Sequence, residues 1–388
     1  MEVIFASLIY YSCFFALFAL LIYMGRTTER LSAYPMFALW LLLTIFAGMR
    51  FGPGRDFSMY LNIYEYGEHT PNYHVLEPFW KEMIDLFRRW GVSSAVWFTT
   101  VAGLTYALLI YGFRRLCGEN WWIAILAFVL VYSGYFETFN IMRQYLALGI
   151  MIASYPLMQQ KRYLWFALCL VGAFLVHSSA AIILPMLLIA RIKWNKYILA
   201  ALLVFSPLLS ELLLPSMLDL LGNILPDRYG IYTEKSQVSK MQTETGLYPL
   251  FLMFVALYFV FSAKRISKYR PEIYPYINSL VFAVIIYSLF KNFETGVRIF
   301  YYPFAFFFPL LALTVESGDK LKRQPAIVAI LLVFSIFTCK NLSDINESYS
   351  KYRNIYDTRR YRTTAILQEE SIISPVLVKS FVETKARG

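Results

Sequence analysis

The sequence has few charged residues for its length of 388 residues. Charged side chains make up 16% of the chain, against about 25% in an average soluble domain, whereas 59% of the residues are hydrophobic. A water-soluble protein of this size would need the polar surface that is missing here, so the composition excludes a soluble multidomain enzyme, a coiled coil and a disordered scaffold. The composition is typical of a membrane protein.

Cysteine and histidine are also scarce, with four and three residues. The cysteines are Cys13, Cys117, Cys169 and Cys339; they occur singly, form no CxxC motif, and three of them fall within apolar runs. This pattern excludes a secreted disulfide fold, and the dispersed histidines give no zinc-ligand spacing. The predicted outer loops contain no D-x-D or E-x-D pair. We therefore expect neither a metal ion nor another cofactor.

Long apolar runs are what the sequence has in abundance. Runs of about 20 apolar residues match the thickness of a bilayer core, and polar breaks divide the chain into twelve of them. They are Val3–Tyr23, Ala33–Met49, Ser93–Phe113, Trp121–Tyr135, Gln144–Leu157, Tyr163–Val176, Ala180–Ala190, Tyr197–Leu214, Leu247–Ala263, Tyr274–Phe290, Val297–Val315 and Ala326–Cys339. The sequence thus predicts an all-α polytopic integral membrane protein with about twelve transmembrane helices. The sixth and seventh runs are read as two short helices turning at His177, with one long tilted helix as the alternative.

The first run, Val3–Tyr23, follows Glu2 rather than a basic segment, and no small-residue cleavage site closes it. We therefore expect a retained first span and not a signal peptide.

The basic residues of the loops predict the orientation of the chain. Loops after odd-numbered runs contain 16 Lys and Arg against 5 Asp and Glu, so the positive-inside rule places them in the cytoplasm. The net charge of +11 is mostly this topology signal and predicts no nucleic-acid partner. Two longer loops, about 50–92 and 215–246, then lie on the outer face. Within the first, Glu77–Trp90 has helical apolar spacing and is predicted to lie along the membrane surface.

The chain divides into one membrane domain, residues 1–339, and a polar tail, residues 340–388. Twelve spans place this tail outside, whereas its nine basic residues favour the inside. The sequence leaves both possibilities open.

Arginines at predicted outer helix ends work against the positive-inside tendency and are therefore candidate site residues. Arg50, Arg55, Arg143 and Arg298 are in such positions. A guanidinium is a planar fork of donors that matches phosphate and diphosphate groups, so converging outer arginines suit a lipid-linked diphosphate. The alternative is that each reaches a lipid headgroup or pairs with a nearby acid such as Asp56, Glu137 or Glu294.

His177 lies between two apolar runs at the same predicted plane. An ionisable side chain within a membrane is a site candidate by default, and histidine titrates close to neutral pH. It is equally consistent with a hydrogen-bonded cap of a turn. Outer tyrosines such as Tyr60 are consistent with sugar stacking, although an interfacial aromatic belt explains most of them.

Five short motifs follow one another along the chain. They are Arg50-x-Gly-x-x-Arg55-Asp56-x-x-x-Tyr60, Glu77-Pro-Phe, Arg143-Gln144-x-Leu-Ala, His177-Ser-Ser-Ala and Arg298-x-x-Tyr301-Tyr302. These motifs resemble those of the Wzy-type polymerases of bacterial surface polysaccharides, in particular their EpsG-like branch. Together they extend over residues 50 to 302. The first departs from the tighter Arg-x-Gly-x-Asp form of the family, because Pro53-Gly54-Arg55 intervenes before Asp56.

The resemblance implies a metal-independent glycosyltransferase in the bacterial inner membrane with its active face on the periplasmic side. Its donor and acceptor would be oligosaccharides linked to undecaprenyl diphosphate, and its product most readily O-antigen, a capsule or another exopolysaccharide being the alternatives. A chain-length regulator, a flippase and membrane lipids are the further expected partners. The implied base candidates are His177, Asp56 and Glu77, and the implied contacts to diphosphate or glycan are Arg50, Arg55, Arg143, Arg298, Tyr60, Tyr301 and Tyr302.

Two other functions fit parts of the sequence. A membrane O-acyltransferase would use His177 as its base but gives the outer arginines no clear role. A flippase or transporter of the lipid-linked sugar would be expected to place polar or broken helices near the bilayer midplane, whereas the charges here gather at helix ends.

Overall fold

The computed structural model describes residues 2–27, 33–224, 247–290, 294–316, 320–344 and 348–354. The helices of the first half are α1 (Glu2–Thr27), α2 (Ala33–Gly48), α3 (Phe57–Tyr66), α4 (Pro71–His74), α5 (Pro78–Arg89), α6 (Ser94–Cys117), α7 (Trp121–Leu130), α8 (Met142–Gln159) and α9 (Tyr163–Val176). Those of the second half are α10 (Ile183–Ala190), α11 (Lys196–Ile224), α12 (Leu247–Ser267), α13 (Tyr274–Phe290), α14 (Glu294–Val297), α15 (Tyr301–Phe304), α16 (Phe307–Glu316) and α17 (Lys320–Ser343). The predicted all-α class is confirmed.

Each of the twelve predicted apolar runs lies on one of these helices or on a short series of them. Six stretches are long and apolar enough to cross a membrane by length and composition: Ala6–Arg26, Ser94–Leu130, Leu247–Ser267, Pro271–Phe290, Arg298–Val315 and Gln324–Ser343. Shorter apolar helices occupy Ala33–Gly48, Tyr163–Val176, Ser178–Ala190 and Lys196–Ser210. The protein is membrane-embedded, and the count of twelve crossings stays a prediction.

Glycine divides the longest of these stretches. Gly118 has a φ of +56°, which ends α6, and a single 3-10 turn then leads into α7. A left-handed backbone favours glycine because an L side chain would be strained there. Ser94–Leu130 is therefore two helices, as the sequence predicts.

The two long loops differ from their predicted form. Residues 50–92 contain three helices, and the predicted amphipathic segment is helix α5, which begins at Pro78. Proline favours this first position because its missing N–H needs no partner there. The second loop does not begin at residue 215, because α11 continues to Ile224; residues 225–246 lie outside the described residues.

The chain leaves the helical conformation at His177, as predicted. His177 is extended, with φ −154° and ψ 116°, and a 3-10 turn at Ser178–Ile182 precedes α10. Two short helices are thus present, and one long helix is excluded.

The predicted boundary at residue 340 falls inside helix α17. Helix α17 extends to Ser343, and residues 348–354 return into the membrane domain. Tyr349 and Tyr352 are 1% and 2% exposed. Their hydroxyls donate to the carbonyl oxygens of Phe136 (3.2 Å) and Phe46 (2.7 Å). A segment with this much buried aromatic surface belongs to the domain core. We call residues 348–354 the C-terminal strap.

A short antiparallel pair joins the strap to the end of α2. Strand β1 (Arg50–Phe51) pairs with strand β2 (Arg353–Asn354), and Arg50 is opposite Asn354. The hydroxyls of Ser7 and Tyr11 on α1 donate to the carbonyls of Tyr352 (3.0 Å) and Tyr349 (2.8 Å). The strap therefore lies at the end of the protein where α1 begins and α2 ends.

Candidate active site

Most of the predicted site residues lie at helix ends. Arg50 follows α2, Glu77 precedes α5, Arg143 is in the first turn of α8, His177 ends α9, and Arg298 opens the 3-10 turn before α15. Contacts across the fold join these helix ends into two neighbouring clusters of charged side chains.

The first cluster centres on Glu77. Oε1 of Glu77 lies 2.8 Å from Nδ1 of His177 and accepts the Ser178 N–H at 3.3 Å. Its other oxygen, Oε2, forms an ion pair with Arg143. The Nε of Arg143 also donates to the hydroxyl of Tyr60 at 3.3 Å. We call Tyr60, Glu77, Arg143 and His177 the Glu77 cluster.

Glu77 is held in its charged form. Burial disfavours the carboxylate, but the hydrogen bond to His177 and the charge of Arg143 outweigh that effect and lower the pKa of Glu77 to about 2. A permanent carboxylate accepts a proton-bearing nitrogen, so Nδ1 of His177 carries an N–H, and in the neutral form of the ring Nε2 is then the nitrogen with the lone pair. Glu77 thus orients an imidazole that is able to accept a proton.

The second cluster centres on Glu137. Nδ2 of Asn140 donates to Oε1 of Glu137 at 3.1 Å, and the Tyr301 hydroxyl also hydrogen-bonds to Glu137. Oδ1 of Asn140 accepts the Asp56 N–H at 3.1 Å. Oδ2 of Asp56 lies 3.6 Å from Arg298 Nη2, and Arg55 acts electrostatically on Glu137. We call Arg55, Asp56, Glu137, Asn140, Arg298 and Tyr301 the Glu137 cluster.

Glycine makes this second cluster possible. Gly54 has a φ of +104°, and a Cβ there would lie 2.5 Å from the carbonyl oxygen of Phe139. Because no side chain intervenes, the loop before α3 packs directly on residues 136–140. Arg55 and Asp56 are thereby brought beside Glu137 and Asn140.

The two clusters share backbone. The Tyr60 N–H donates to the Asp56 carbonyl at 3.0 Å within the start of α3. Gln144, next to Arg143, donates from Nε2 to the Arg298 carbonyl at 2.5 Å. The start of α8, which contains Arg143, is therefore hydrogen-bonded directly to the backbone of Arg298.

Arg50 is placed differently from the other arginines. It is 3% exposed, and its guanidinium donates to the carbonyls of Pro53 (3.2 Å), Phe139 (2.8 Å) and Ala47. It also lies over the ring of Phe139, 4.9 Å from the centroid. Donors that are committed to three backbone carbonyls favour a structural role over the predicted diphosphate contact.

Tyr302 is also inside the protein. It is fully buried, and its hydroxyl lies 3.0 Å from the Ser179 hydroxyl. Tyr301 faces the ring of Tyr145, with centroids 5.9 Å apart. These positions favour hydrogen bonding and packing around the two clusters over the implied contact with diphosphate or glycan.

A sequence model for the EpsG family matches residues 33–354, most of the chain. The chain belongs to the EpsG family. No curated protein and no solved structure gives a match. The predicted EpsG-like resemblance is confirmed, and membership indicates a polysaccharide polymerase-like glycosyltransferase.

The extent of the EpsG match agrees with the packing of the chain. The match ends at residue 354, which is also the end of strand β2. The C-terminal strap is therefore covered by the EpsG family match.

Sequence reasoning missed the part played by Glu137 in this EpsG family protein. It treated Glu137 only as an acid that a nearby arginine could pair with, but the side chain is 7% exposed and lies within the site. Burial raises the pKa of Glu137 to about 7, against the opposing effects of Asn140, Arg55, Tyr301 and Arg298. The available signal was an acid among aromatic residues, Phe136-Glu137-Thr138-Phe139, where a charged side chain is costly.

The alternative explanation of the arginines holds in part. Asp56 does pair with Arg298, and Glu77 rather than a local acid pairs with Arg143. The side chain of Glu294 lies outside the described residues. Within the described part of the chain, no group of three or more His, Cys, Asp and Glu side chains is arranged to hold a metal ion.

Proposed function

We propose that this EpsG family protein polymerises lipid-linked repeat units at the outer face of the bacterial inner membrane. It transfers a growing glycan from undecaprenyl diphosphate to the nonreducing-end sugar of a new repeat unit, and O-antigen is the expected product. One observation carries the proposal: Glu77 orients His177 and pairs with Arg143 in the same cluster. A proton acceptor thus lies beside a group that binds phosphate.

The acceptor hydroxyl needs a base. In the proposed reaction its proton moves to Nε2 of His177 while its oxygen forms the new bond to the anomeric carbon of the donor glycan. The imidazolium that results is stabilised by the Glu77 carboxylate at 2.8 Å. A positioned base of this kind contributes about 10²–10⁴-fold to the rate.

The leaving group needs positive charge. The bond between the anomeric carbon and the diphosphate oxygen breaks, and the diphosphate keeps the electron pair. Guanidinium groups placed where this charge develops stabilise the transition state. Arg143 and Arg298 are 17% and 34% exposed at their side chains, so both are accessible enough to meet a ligand, and Arg55 is exposed.

Arginine also supports the proposal of a metal-independent reaction. A guanidinium is a permanent cation with two parallel donors for phosphate oxygens. Arg55, Arg143 and Arg298, which belong to the two clusters, supply the positive charge that a divalent metal ion would otherwise supply.

The periplasmic placement of the site is supported by the charge of the opposite loops and by the C-terminal strap. Residues 348–354 pack beside Arg50, so the chain makes an even number of crossings between the end of α2 and the strap. Twelve crossings in total satisfy this condition, and they place the strap, both clusters and the start of α1 on the outer face.

The test uses cells that depend on this protein, in which Arg143 or Arg298 is replaced by Ala and the surface glycan is resolved by length on a gel. We expect the ladder to collapse to a single repeat unit while that unit still reaches the surface. Arg115→Ala is the matched control, because Arg115 is exposed and near the opposite end of α6. Protein levels are compared in the membrane fraction.

Three results would contradict the proposal. Loss of every repeat unit from the surface would favour a transporter of the lipid-linked sugar. An unchanged ladder in both variants would remove the arginines from the reaction, and a glycan that lost acyl groups instead would favour an O-acyltransferase.

A further inference from the structure

We infer that Glu137 is an internal counter-ion, which takes up a proton when a diphosphate binds at Arg55 and Arg298. The inference rests on the proposed function, because it assumes that the ligand of these arginines is a lipid-linked diphosphate. It adds a proton-coupled binding step and a role for an acid that the reaction itself does not use.

The charges of the Glu137 cluster balance without a ligand. Arg55 and Arg298 contribute two positive charges, and Asp56 and Glu137 offset them when both are ionised. The separation of Asp56 from Arg298 is 3.6 Å, and Arg55 and Arg298 both act on Glu137. A lipid-linked diphosphate sugar adds two further negative charges, so the occupied cluster carries a net charge of two negatives, and protonation of one acid reduces this excess to one.

Glu137 is the acid that becomes neutral most easily. It is 7% exposed, whereas the side chain of Asp56 is 21% exposed. Burial disfavours the charged form of a carboxyl group, and a ligand anion nearby adds to this effect. The pKa of Glu137 of about 7 before binding places the proton uptake in the neutral range.

Few other charged groups surround Glu137 that could offset the negative charge of a bound diphosphate. Asn140 faces it from the same turn, Arg55 from the loop before α3, and Arg298 and Tyr301 from the segment around α15. Among the residues that the structure describes, the phenols of Tyr145 on α8, Tyr248 on α12 and Tyr349 in the C-terminal strap also act on it. Phenols are neutral near pH 7, so among these groups the carboxyl of Glu137 is the one that exchanges a proton there.

A neutral Glu137 keeps its place. A carboxyl group still accepts from Nδ2 of Asn140 through one oxygen, so the backbone of residues 136–140 does not have to move. Protonation therefore changes the charge of the site, while Oδ1 of Asn140 continues to accept the backbone N–H of Asp56.

The test measures binding of a short-chain polyprenyl-diphospho-sugar to the full-length protein in nanodiscs from pH 6 to pH 9. This probe is a diphosphate diester with no proton that titrates near neutral pH, so any proton exchange belongs to the protein. Wild-type affinity is expected to fall up to tenfold per pH unit above the Glu137 pKa, since one proton is linked to binding. Glu137→Gln should bind with a flat pH profile and more tightly than wild type at pH 9.

Glu119→Gln is the matched control, because Glu119 is exposed and between α6 and α7, and it should keep the wild-type slope. Calorimetric titration of the wild type in two buffers of different ionisation enthalpy gives the number of protons directly, without any variant. Uptake approaching one proton above pH 7 is expected. The affinity for inorganic diphosphate, measured at a single pH because this anion itself titrates near neutral pH, separates recognition of the lipid-linked ligand from recognition of any diphosphate.

Three results would overturn the inference in distinguishable ways. A flat wild-type profile with clear binding would leave the proposed function standing and remove the counter-ion. A slope that persists in Glu137→Gln would assign the proton to another group. Absence of binding at every pH would overturn the proposed diphosphate site and the inference with it.

Discussion

His177 Nδ1 lies 2.8 Å from Glu77 Oε1, although 100 residues of chain separate the two. Each side chain comes from a break in helical structure: Glu77 is the residue before α5, and His177 is the residue after α9. A carboxylate that accepts Nδ1–H fixes the tautomer and the ring orientation of a histidine. The pair is therefore more than a cap of the turn at His177.

Removal of the imidazole should stop polymerisation more completely than removal of the charge on its partner. We expect His177→Gln to lower the rate by about 10²–10⁴-fold. Glu77→Gln should lower it less, because Nε2 of His177 remains, while the orientation and the stabilised imidazolium are weakened. The measurement is the rate of chain elongation by purified protein given a lipid-linked repeat unit.

His69→Gln is the control for the histidine, because His69 is exposed in the loop between α3 and α4. Full activity of His177→Gln would exclude it as the base.

Trp80 positions His177 through a hydrogen bond to the residue before it. Its indole Nε1 donates to the carbonyl of Val176 at 2.7 Å, and its side chain is 1% exposed. Trp80→Phe keeps an aromatic ring but removes the N–H donor. The Val176 carbonyl, just before His177, is then left without this hydrogen bond, which costs about 1 kcal/mol. We expect kcat to fall several-fold with little change in KM, and a slightly lower thermal midpoint.

Trp90→Phe is the matched control, because Trp90 follows the same helix but is 67% exposed. It should change neither kcat nor the midpoint. An equal fall of kcat in both variants would mean that Trp80 acts through general stability and not through His177.

Arg143 joins two side chains with one guanidinium. Nη1 donates to Glu77 and Nε donates to the hydroxyl of Tyr60. An ammonium is a point charge without this planar fork, so Arg143→Lys should keep the charge but not both contacts. We expect Arg143→Lys to retain a small fraction of the elongation rate and Arg143→Ala to retain none detectable, with Tyr60→Phe intermediate.

These three rates are compared at saturating acceptor and at equal protein level. A Lys variant as active as wild type would show that charge alone is needed, and the fork would then have no function. Arg162→Lys, at an exposed position before α9, controls for the effect of the substitution itself.

The contributions of Glu77 and Glu137 to stability should depend on pH in opposite ways: one is lost as pH falls and the other as pH rises. The pKa of Glu77 is depressed to about 2, so its contribution is present above its unfolded value near 4.5 and is lost as pH falls from there towards 2. The pKa of Glu137 is raised to about 7, so its contribution is present below about 4.5 and is lost as pH rises through 7.

Thermal unfolding of the detergent-solubilised protein checks both signs. Glu137→Gln should gain in midpoint relative to wild type between pH 5 and pH 8, whereas Glu77→Gln should be less stable than wild type by a constant amount across that range. A Glu137→Gln midpoint that tracks wild type at every pH would contradict the assigned burial.

How much of this site the sequence predicts depends on the range of the contacts. Apolar runs and helix ends are local features, so all twelve helical regions and the positions of Arg143, His177 and Arg298 were predictable. The partners of these residues were not, because Glu77 meets Arg143 across 66 residues and His177 across 100. Loop helices bring them together, and loop geometry is set by the tertiary fold.

Arg50 and Glu137 show a second reason. Both look like exposed charges at a helix end, but the aromatic side chains of Phe139, Tyr349 and Tyr352 cover this end of the protein. The two tyrosines belong to the C-terminal strap, whose return into the core has no local signal in a segment rich in polar residues. Burial, and with it the direction of a carboxyl pKa, cannot be read without that contact.

The C-terminal strap should be required for the fold of the site. Tyr352 donates to the Phe46 carbonyl at 2.7 Å and stacks on the ring of Phe46 at 4.4 Å. Tyr352→Phe removes the hydrogen bond alone and should cost about 1 kcal/mol, whereas Tyr352→Ala also opens a cavity and should cost about 3–5 kcal/mol. Lys351→Ala, exposed and adjacent, should cost little.

Unfolding midpoints and the elongation rate are measured together. Because the strap pairs with Arg50, and the loop that follows Arg50 contains Asp56, we expect the rate to fall with the midpoint; a Tyr352→Ala variant with a lower midpoint but a normal rate would show that the strap stabilises the domain without holding the site.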